Sequence, residues 1–418
     1  MKESNYLLRY TRTEDPLDLD GYTKSGGFNG LRSAVAMDRR EAVEEIKRAK
    51  LAGRGGAGVD AGFKWSTVPE DEESYVVCNT DEGEPGTFKD RFLMEKAPYL
   101  LIEGMLIAGY TTNSSMGYIY VRGEYPEVIR LLEQALQRVR EKNLLGNNIL
   151  DSGFNFEIDV KRGGGSYVVG DETALLSSLM GNRGHPWYKP PYPTQEGLWK
   201  KPTLVNNVET LSCVPVIFSE GSKTFASIGS PDNPGPKLYS VSGHVESPGV
   251  YEFPMGIELK ELIEAAGGVR GTLKAVQIGG TAGPVYDLRA LSYTLDFKSM
   301  KESGGSLGSG AIVVMNTSVN MAQVLQVTMR FFSEESCGQC FPCRYGTRQL
   351  EYMANRIASG GGRLEYLDYM KSIVDTMKDS SFCPFGQSIR APLTSMLDQF
   401  GDEIRSFIKE QEYMKEVV

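Results

Sequence analysis

Apolar residues recur at helical spacing over residues 40–52 and 126–142, with Ala42, Val43, Ile46 and Ala49 on one face of the first segment. Short apolar runs at residues 74–78, 117–121 and 154–160 have the length and composition of strands. This mixture predicts an α/β domain over residues 1–230. The stretch Gly229-Ser230-Pro231-Asp232-Asn233-Pro234-Gly235-Pro236 then interrupts regular structure, because glycine and proline punctuate both helix and strand. Beyond it, runs at residues 237–243, 249–254, 275–279 and 311–315 flank a short helical segment at 259–266. They predict a small α+β unit over residues 235–318, in which no catalytic constellation stands out.

Residues 319–418 read as helices. Met321, Leu325, Met329 and Phe332 form one apolar stripe, and Leu350, Met353 and Ile357 a second. Leu364, Leu367, Met370, Val374 and Met377 form a third, and Ile389, Leu393, Met396, Phe400, Ile404 and Phe407 a fourth. Four stripes with short joints predict a four-helix bundle.

A length of 418 residues fits two or three such domains, since single cores stop growing near about 250 to 300 residues. The net charge of −9 argues against a wide nucleic-acid interface. Residues 1–19 are charged and lack the apolar core of a signal peptide. The longest apolar runs, such as residues 311–315, are far short of the roughly 20 needed to span a bilayer. We expect a cytoplasmic protein without direct membrane contact.

Six cysteines in a chain of this kind suggest metal ligation rather than a disulfide framework. Cys337, Cys340 and Cys343 follow at three-residue spacing, and Cys383 stands alone between the third and fourth stripes. A 4Fe-4S cube has four iron corners, so three ligands from one loop and a distant fourth suit it. Structural zinc and inert buried thiols are the alternatives. Cys78 and Cys213 lie in apolar surroundings and read as core. With His185 and His244 the only histidines, a Ser-His-Asp hydrolase is hard to assemble.

Gly53-Arg54-Gly55-Gly56-Ala57-Gly58 satisfies the pattern G-x-G-x-x-G, but a helical segment precedes it where an ordinary Rossmann fingerprint needs a strand. Close glycines still let backbone amides approach a phosphate, with Lys64 and Trp65 following. Lys161-Arg162-Gly163-Gly164-Gly165-Ser166-Tyr167 is a second candidate, set between a strand and the helix start Gly170-Asp171-Glu172. The acidic turn Asn79-Thr80-Asp81-Glu82-Gly83-Glu84-Pro85-Gly86 reads either as a site or as a solvated loop.

The glycine loop, residues 79–91, 167–175 and 204–210, and the run Glu335-Ser336-Cys337-Gly338-Gln339-Cys340-Phe341-Pro342-Cys343 occur together in this order. The combination resembles the NADH-binding flavoprotein subunit of respiratory complex I, NADH:quinone oxidoreductase, over nearly the whole chain. The resemblance implies FMN and NADH in an atypical α/β domain, a β-grasp domain after it, and one 4Fe-4S cluster in the helical domain. It implies that Gly53, Arg54, Gly55, Gly56, Ala57, Gly58, Lys64, Asn79, Asp81, Gly170, Asp171, Asn206, Asn207 and Thr210 hold FMN, with Lys64 on its phosphate. Glu82, Glu84, Tyr167, Glu172, Lys189 and Tyr192 would line the NADH side, Glu84 and Glu172 as positioning groups for hydride transfer, which needs orientation rather than a protein base.

Further implications are electron delivery to a thioredoxin-like 2Fe-2S partner subunit, and membership of the larger complex I peripheral arm at the inner face of the membrane. Similar subunits serve soluble NAD-linked hydrogenases and formate dehydrogenases. One departure is Val59-Asp60-Ala61, where the family usually places an aromatic residue after the glycine loop. A weaker grip on the nucleotide is expected from it.

Overall fold

The computed structural model describes residues 5–408. Among them, strands β1 (Tyr75–Thr80), β2 (Met116–Val121), β3 (Gly146–Ile149), β4 (Phe154–Arg162) and β5 (Thr203–Asn207) form one sheet in the order β3-β4-β2-β1-β5. Its pairs are parallel except β3 with β4. The valine- and tyrosine-rich segments of β1 and β2 are buried on both faces, as parallel strands covered by helices are. The chain leaves β1 toward β2 and β4 on one side, then returns to lay β5 on the other. The strand order therefore switches at β1, and the crevice beyond the carboxyl ends of β1 and β5 is where open α/β sheets bind ligands. Parallel pairing of Asn79 with Asn207 sets both asparagines there.

The helix expected over residues 40–52 spans Arg39–Ala49, capped by the Asp38 carboxylate on the Arg40 amide. It stops early because Lys50 turns left-handed (φ 51°), after which Ala52 bridges Asp60. The glycine loop is thus closed at its base by Gly53 N–H to the Val59 carbonyl, 2.8 Å, and Ala61 N–H to the Leu51 carbonyl, 2.8 Å. Two helices that periodicity did not reveal, Pro98–Thr111 and Val208–Glu220, are buried nearly all round. They meet closely: a Cβ on Gly104 would lie 2.1 Å from the Leu211 carbonyl oxygen.

Strands β6 (Pro236–Gly243), β7 (Gly249–Pro254), β8 (Leu273–Ile278), β9 (Val285–Tyr286) and β10 (Ala311–Asn316) form a second, mixed sheet in the order β7-β6-β10-β8-β9. The helix Leu259–Ala265 supplies Leu259, Leu262 and Ile263 to its core. A buried ion cluster ties the two sheets together. Lys237 of β6 and Lys89 both reach the Glu209 carboxylate at 2.8 Å, with all three side chains fully buried. Burial alone would raise the Glu209 carboxyl, but the two lysines outweigh it and hold it below its ordinary range.

The last part contains helices Met321–Glu335, Phe341–Ala358 and Glu365–Ser380, which carry the first three stripes. The fourth stripe is not one helix. It is divided between Arg390–Gln399 and Gly401–Ser406, with the break at Phe400 (φ −125°), and the short helix Pro384–Ser388 precedes it. Ile389, Leu393, Met396 and Ile404 are buried, whereas Phe400 and Phe407 are only partly so. No helix among the described residues is long and apolar enough to cross a membrane.

Candidate functional site

Two cavities, of about 440 and 750 Å³, open beyond the carboxyl ends of β1 and β5. Gly55, Gly56, Ala57, Asn79, Gly170, Asp171, Asn207 and Pro384 line both, so the two spaces are neighbours sharing a wall. The wide cavity adds Gly53, Gly58, Lys64, Glu172, Lys189, Tyr192, Asn206 and Thr210. The narrow one adds Asp81, Glu82, Glu84 and Tyr167. All the site residues expected outside the cysteine group thus meet here except Arg54.

Arg54 is a correction. Its side chain is fully buried under the loop and donates to the Pro234 carbonyl at 2.7 Å, while its backbone N–H donates to Thr210 Oγ1 at 2.8 Å. The side chain lines neither cavity and braces the loop from below. The loop itself is shaped to admit a ligand. Gly56 holds φ at +139°, which other residues rarely adopt, and a Cβ there would meet nothing closer than 3.9 Å.

The asparagines are held in place. Asn79 donates to the Gly170 carbonyl (2.8 Å), and Asn206 accepts from the Trp65 indole N–H (2.8 Å). Asn207 caps the helix Val208–Glu220 and donates to Asp90 (2.6 Å). Asp171 is committed to its own helix: its carboxylate accepts from the Thr173 and Ala174 amides. Gly163, Gly164 and Gly165 lie outside both cavities, and Gly163 packs against the Tyr120 ring.

Lys64 and Lys189 grip opposite oxygens of Glu172, at 2.6 and 2.7 Å. Burial would raise this carboxyl, but the two ammonium groups outweigh it and leave it below the usual range. Lys64 is therefore placed between the loop and Glu172 rather than free. Val59 lines the wide cavity, and Phe63, four residues on and 65% exposed, lines it too. An aromatic face is present in this space although not at position 59.

Three acids border the narrow cavity. Glu82 turns its carboxylate to the start of the helix Lys89–Lys96, accepting from the Asp90 and Arg91 amides at 2.8 and 2.9 Å. Burial and the nearby Asp90 still push it up to about 8. Its side chain anchors that helix while lining the narrow cavity. Glu84 accepts from the Tyr167 hydroxyl at 2.5 Å and the Ala282 N–H at 3.2 Å. Asp81 has both carboxylate oxygens buried without a partner, and burial pushes it up to about 7 against the opposing charge of Arg122.

All six cysteines are free thiols. Cys340 and Cys383 stand at helix starts, where unpaired amides favour an anionic group, although the second helix is a single short turn. Burial pushes the Cys343 thiol up to about 12, with repulsion from Cys340, Cys383 and Cys337 adding to it. Among the described residues no three Cys, His, Asp or Glu side chains stand close enough to share one metal ion. Cys383 and Pro384 also line the narrow cavity, so this one thiol adjoins it directly.

Residues 46–216 match the family model described as the Nuo51 FMN-binding domain, and residues 323–407 that of the NADH-ubiquinone oxidoreductase-F iron-sulfur binding region. Residues 238–286 match the SLBB domain. An NADH-quinone oxidoreductase F-type subunit of Rhizobium meliloti (strain 1021) is 43% identical, covering 97% of this chain and 98% of its own. The chain belongs to the family of NADH-binding flavoprotein subunits of NADH-quinone oxidoreductase. An NADP-reducing hydrogenase subunit HndC of Solidesulfovibrio fructosivorans is 39% identical over 95% of this chain and 82% of its own. An NAD+-reducing [NiFe]-hydrogenase in its H2-reduced state is a structural relative, with TM-score 0.88, 32% identity, and coverage of 98% of this chain and 68% of that one.

The residues present fit the groups this family implies. A loop with room over Gly56 and lysine beside it suits a phosphate, and the orphaned Asp81 oxygens suit hydroxyl or N–H donors of a bound molecule. Four free thiols suit an iron-sulfur cluster. Residues missed in the sequence include a group in the middle part: Gly279, Ala282, Gly283, Ser306, Gly308 and Ser309 wall the narrow cavity. The signal was there in Gly279-Gly280-Thr281-Ala282-Gly283 and Gly308-Ser309-Gly310, glycine-rich turns that permit close backbone approach.

Proposed function

We propose that this chain oxidises NADH with FMN held against the glycine loop, and that electrons leave singly through one 4Fe-4S cluster on Cys337, Cys340, Cys343 and Cys383. When bound, the flavin supplies two-electron acceptance from a hydride and one-electron release. The chain's own residues bind and orient. Loop amides and Lys64 hold phosphate, while Asn79, Asp81, Asn206, Asn207 and Thr210 offer polar partners to the flavin. Glu172, Lys189 and Tyr192 in the wide cavity, and Glu84 with Tyr167 in the narrow one, orient the nicotinamide substrate. The helices over β1 and β5 exclude water from behind.

The observation that carries this reading is the position of Cys383 and Pro384. Cys383 lines the narrow cavity together with Gly55, Gly56, Ala57 and Asn79, which also wall the wide one, and this supports a cluster ligand beside the residues read as the flavin's. The proposed division is an FMN- and NADH-binding α/β domain over residues 1–230, a β-grasp domain over 235–318 and a helical cluster domain over 319–418. A thioredoxin-like 2Fe-2S subunit is the proposed partner, in a complex I peripheral arm on the cytoplasmic face. The likeness to hydrogenase subunits supports a second reading, a diaphorase subunit of a soluble NAD-linked hydrogenase, and proteins co-purified from the native host decide between the two.

Anaerobic addition of NADH to the purified protein tests the reading. Loss of the visible flavin bands is expected. A colourless protein carrying zinc would overturn it.

A further inference from the structure

Strands β8 and β9 are joined by a tight turn whose tip enters the site. The Gly283 N–H donates to the Gly280 carbonyl (2.9 Å), and the buried Gln277 amide donates to the Thr281 and Gly283 carbonyls at 3.4 and 3.2 Å. Gly279 and Gly280 hold φ at +91° and +84°, the left-handed region that favours glycine. So braced, the turn presents the Ala282 N–H to Glu84 Oε1 at 3.2 Å, with the Thr281 backbone also bonding this carboxylate. A Cβ added at Gly280 would fall 2.2 Å from Glu84 Cγ and 2.5 Å from its Oε1. From the opposite side, the Tyr167 hydroxyl donates to Oε2, and its ring packs edge-on against Phe331 of the helix Met321–Glu335, centroids 5.1 Å apart.

We propose that the turn at residues 279–283 is a positioning element for Glu84, fixing its carboxylate in the narrow cavity from the middle domain. Gly280 is then glycine for two reasons: its backbone angle, and the space the Glu84 side chain fills. The middle domain becomes a wall of the redox site, and its turn acts on the substrate through Glu84. The inference rests on reading the two cavities as the NADH and FMN site.

The test is a double-mutant cycle on the FMN-loaded protein, comparing Gly280→Ala, Glu84→Ala and the double variant. Glu84→Ala leaves a void into which the new methyl fits. Gly280→Ala alone should raise KM for NADH by about tenfold or more, with a smaller fall in kcat. In the Glu84→Ala background it should change KM no further, and its effect on Tm should shrink as well. An equal effect of Gly280→Ala in both backgrounds would assign it to backbone strain and overturn the proposal. If Gly280→Ala alone does not fold, the double variant is compared with Glu84→Ala: matching KM values support the proposal and an added loss overturns it. A Glu84→Ala protein with unchanged KM defeats the reading of Glu84 as a substrate-side group, and the Tm cycle still reports whether the turn clamps it.

Discussion

Asp81 sits at the wall of the narrow cavity with both carboxylate oxygens buried and unpartnered. Burial raises its pKa from 3.8 to about 7, so the folded chain keeps a proton that the unfolded chain gives up between those values. Stability contributed at this site is therefore present below the lower pKa and lost as pH rises through the upper one. Asp81→Asn should raise Tm of the FMN-free protein more at about pH 8 than at about pH 5. Thermal scans at the two values check this, and an equal gain at both would contradict it. At this scale the sequence was legible where a motif fixed the backbone, as at Gly56, Asn79 and Asn207. It was not legible where the role depended on which way a side chain turns. Nothing in the acidic turn distinguishes Glu82, which points to a helix start, from Glu84, which points into the cavity. Arg54 sits in the middle of the loop motif yet serves from beneath it.

Among elements, the amphipathic helices and the strands β1, β2 and β4 were readable because one face or run carries the apolar signal. The helices Pro98–Thr111 and Val208–Glu220 were not, because burial on almost every side erases the period of 3.6 residues. The buried charge of the first, Glu103, is explained by packing. It is 1% exposed and accepts from the Tyr22 hydroxyl (2.6 Å), the Phe28 N–H (2.8 Å) and the Leu31 N–H (3.0 Å). It pins the N-terminal helices to the helix behind β1. Glu103→Ala leaves these donors unsatisfied and should lower stability by about 3 kcal/mol or more, with Glu103→Gln losing less. The urea midpoint reports it, and a midpoint unchanged in Glu103→Ala would refute the pinning role. The fourth stripe of the last hundred residues shows the converse limit, for a regular apolar pattern persists across the break at Phe400 that divides it into separate helices.

Across the whole molecule, the site is a junction of all three sequence regions. The glycine loop and asparagines come from the first region, the turns around Gly280 and Gly308 from the second, and Cys383, Pro384 and Phe385 from the last. The buried Lys237, Glu209 and Lys89 cluster fixes the first two together, because removing one member would strand charge in the interior. Sequence motifs pointed to the two ends of the proposed electron path but not to the middle domain's share in the cavity wall, since contacts between distant turns leave no local pattern.

The proposed function stands or falls on one chain joining NADH oxidation at the glycine-loop cavity to a separate one-electron exit at the cysteines. Cys340→Ala separates the two halves, with NADH added anaerobically and both flavin absorbance and the electron paramagnetic resonance of the reduced cluster recorded. In this variant NADH should still bleach the flavin while the wild-type cluster signal disappears. Retained FMN that NADH no longer bleaches, or an unaltered cluster signal, would contradict the proposed path.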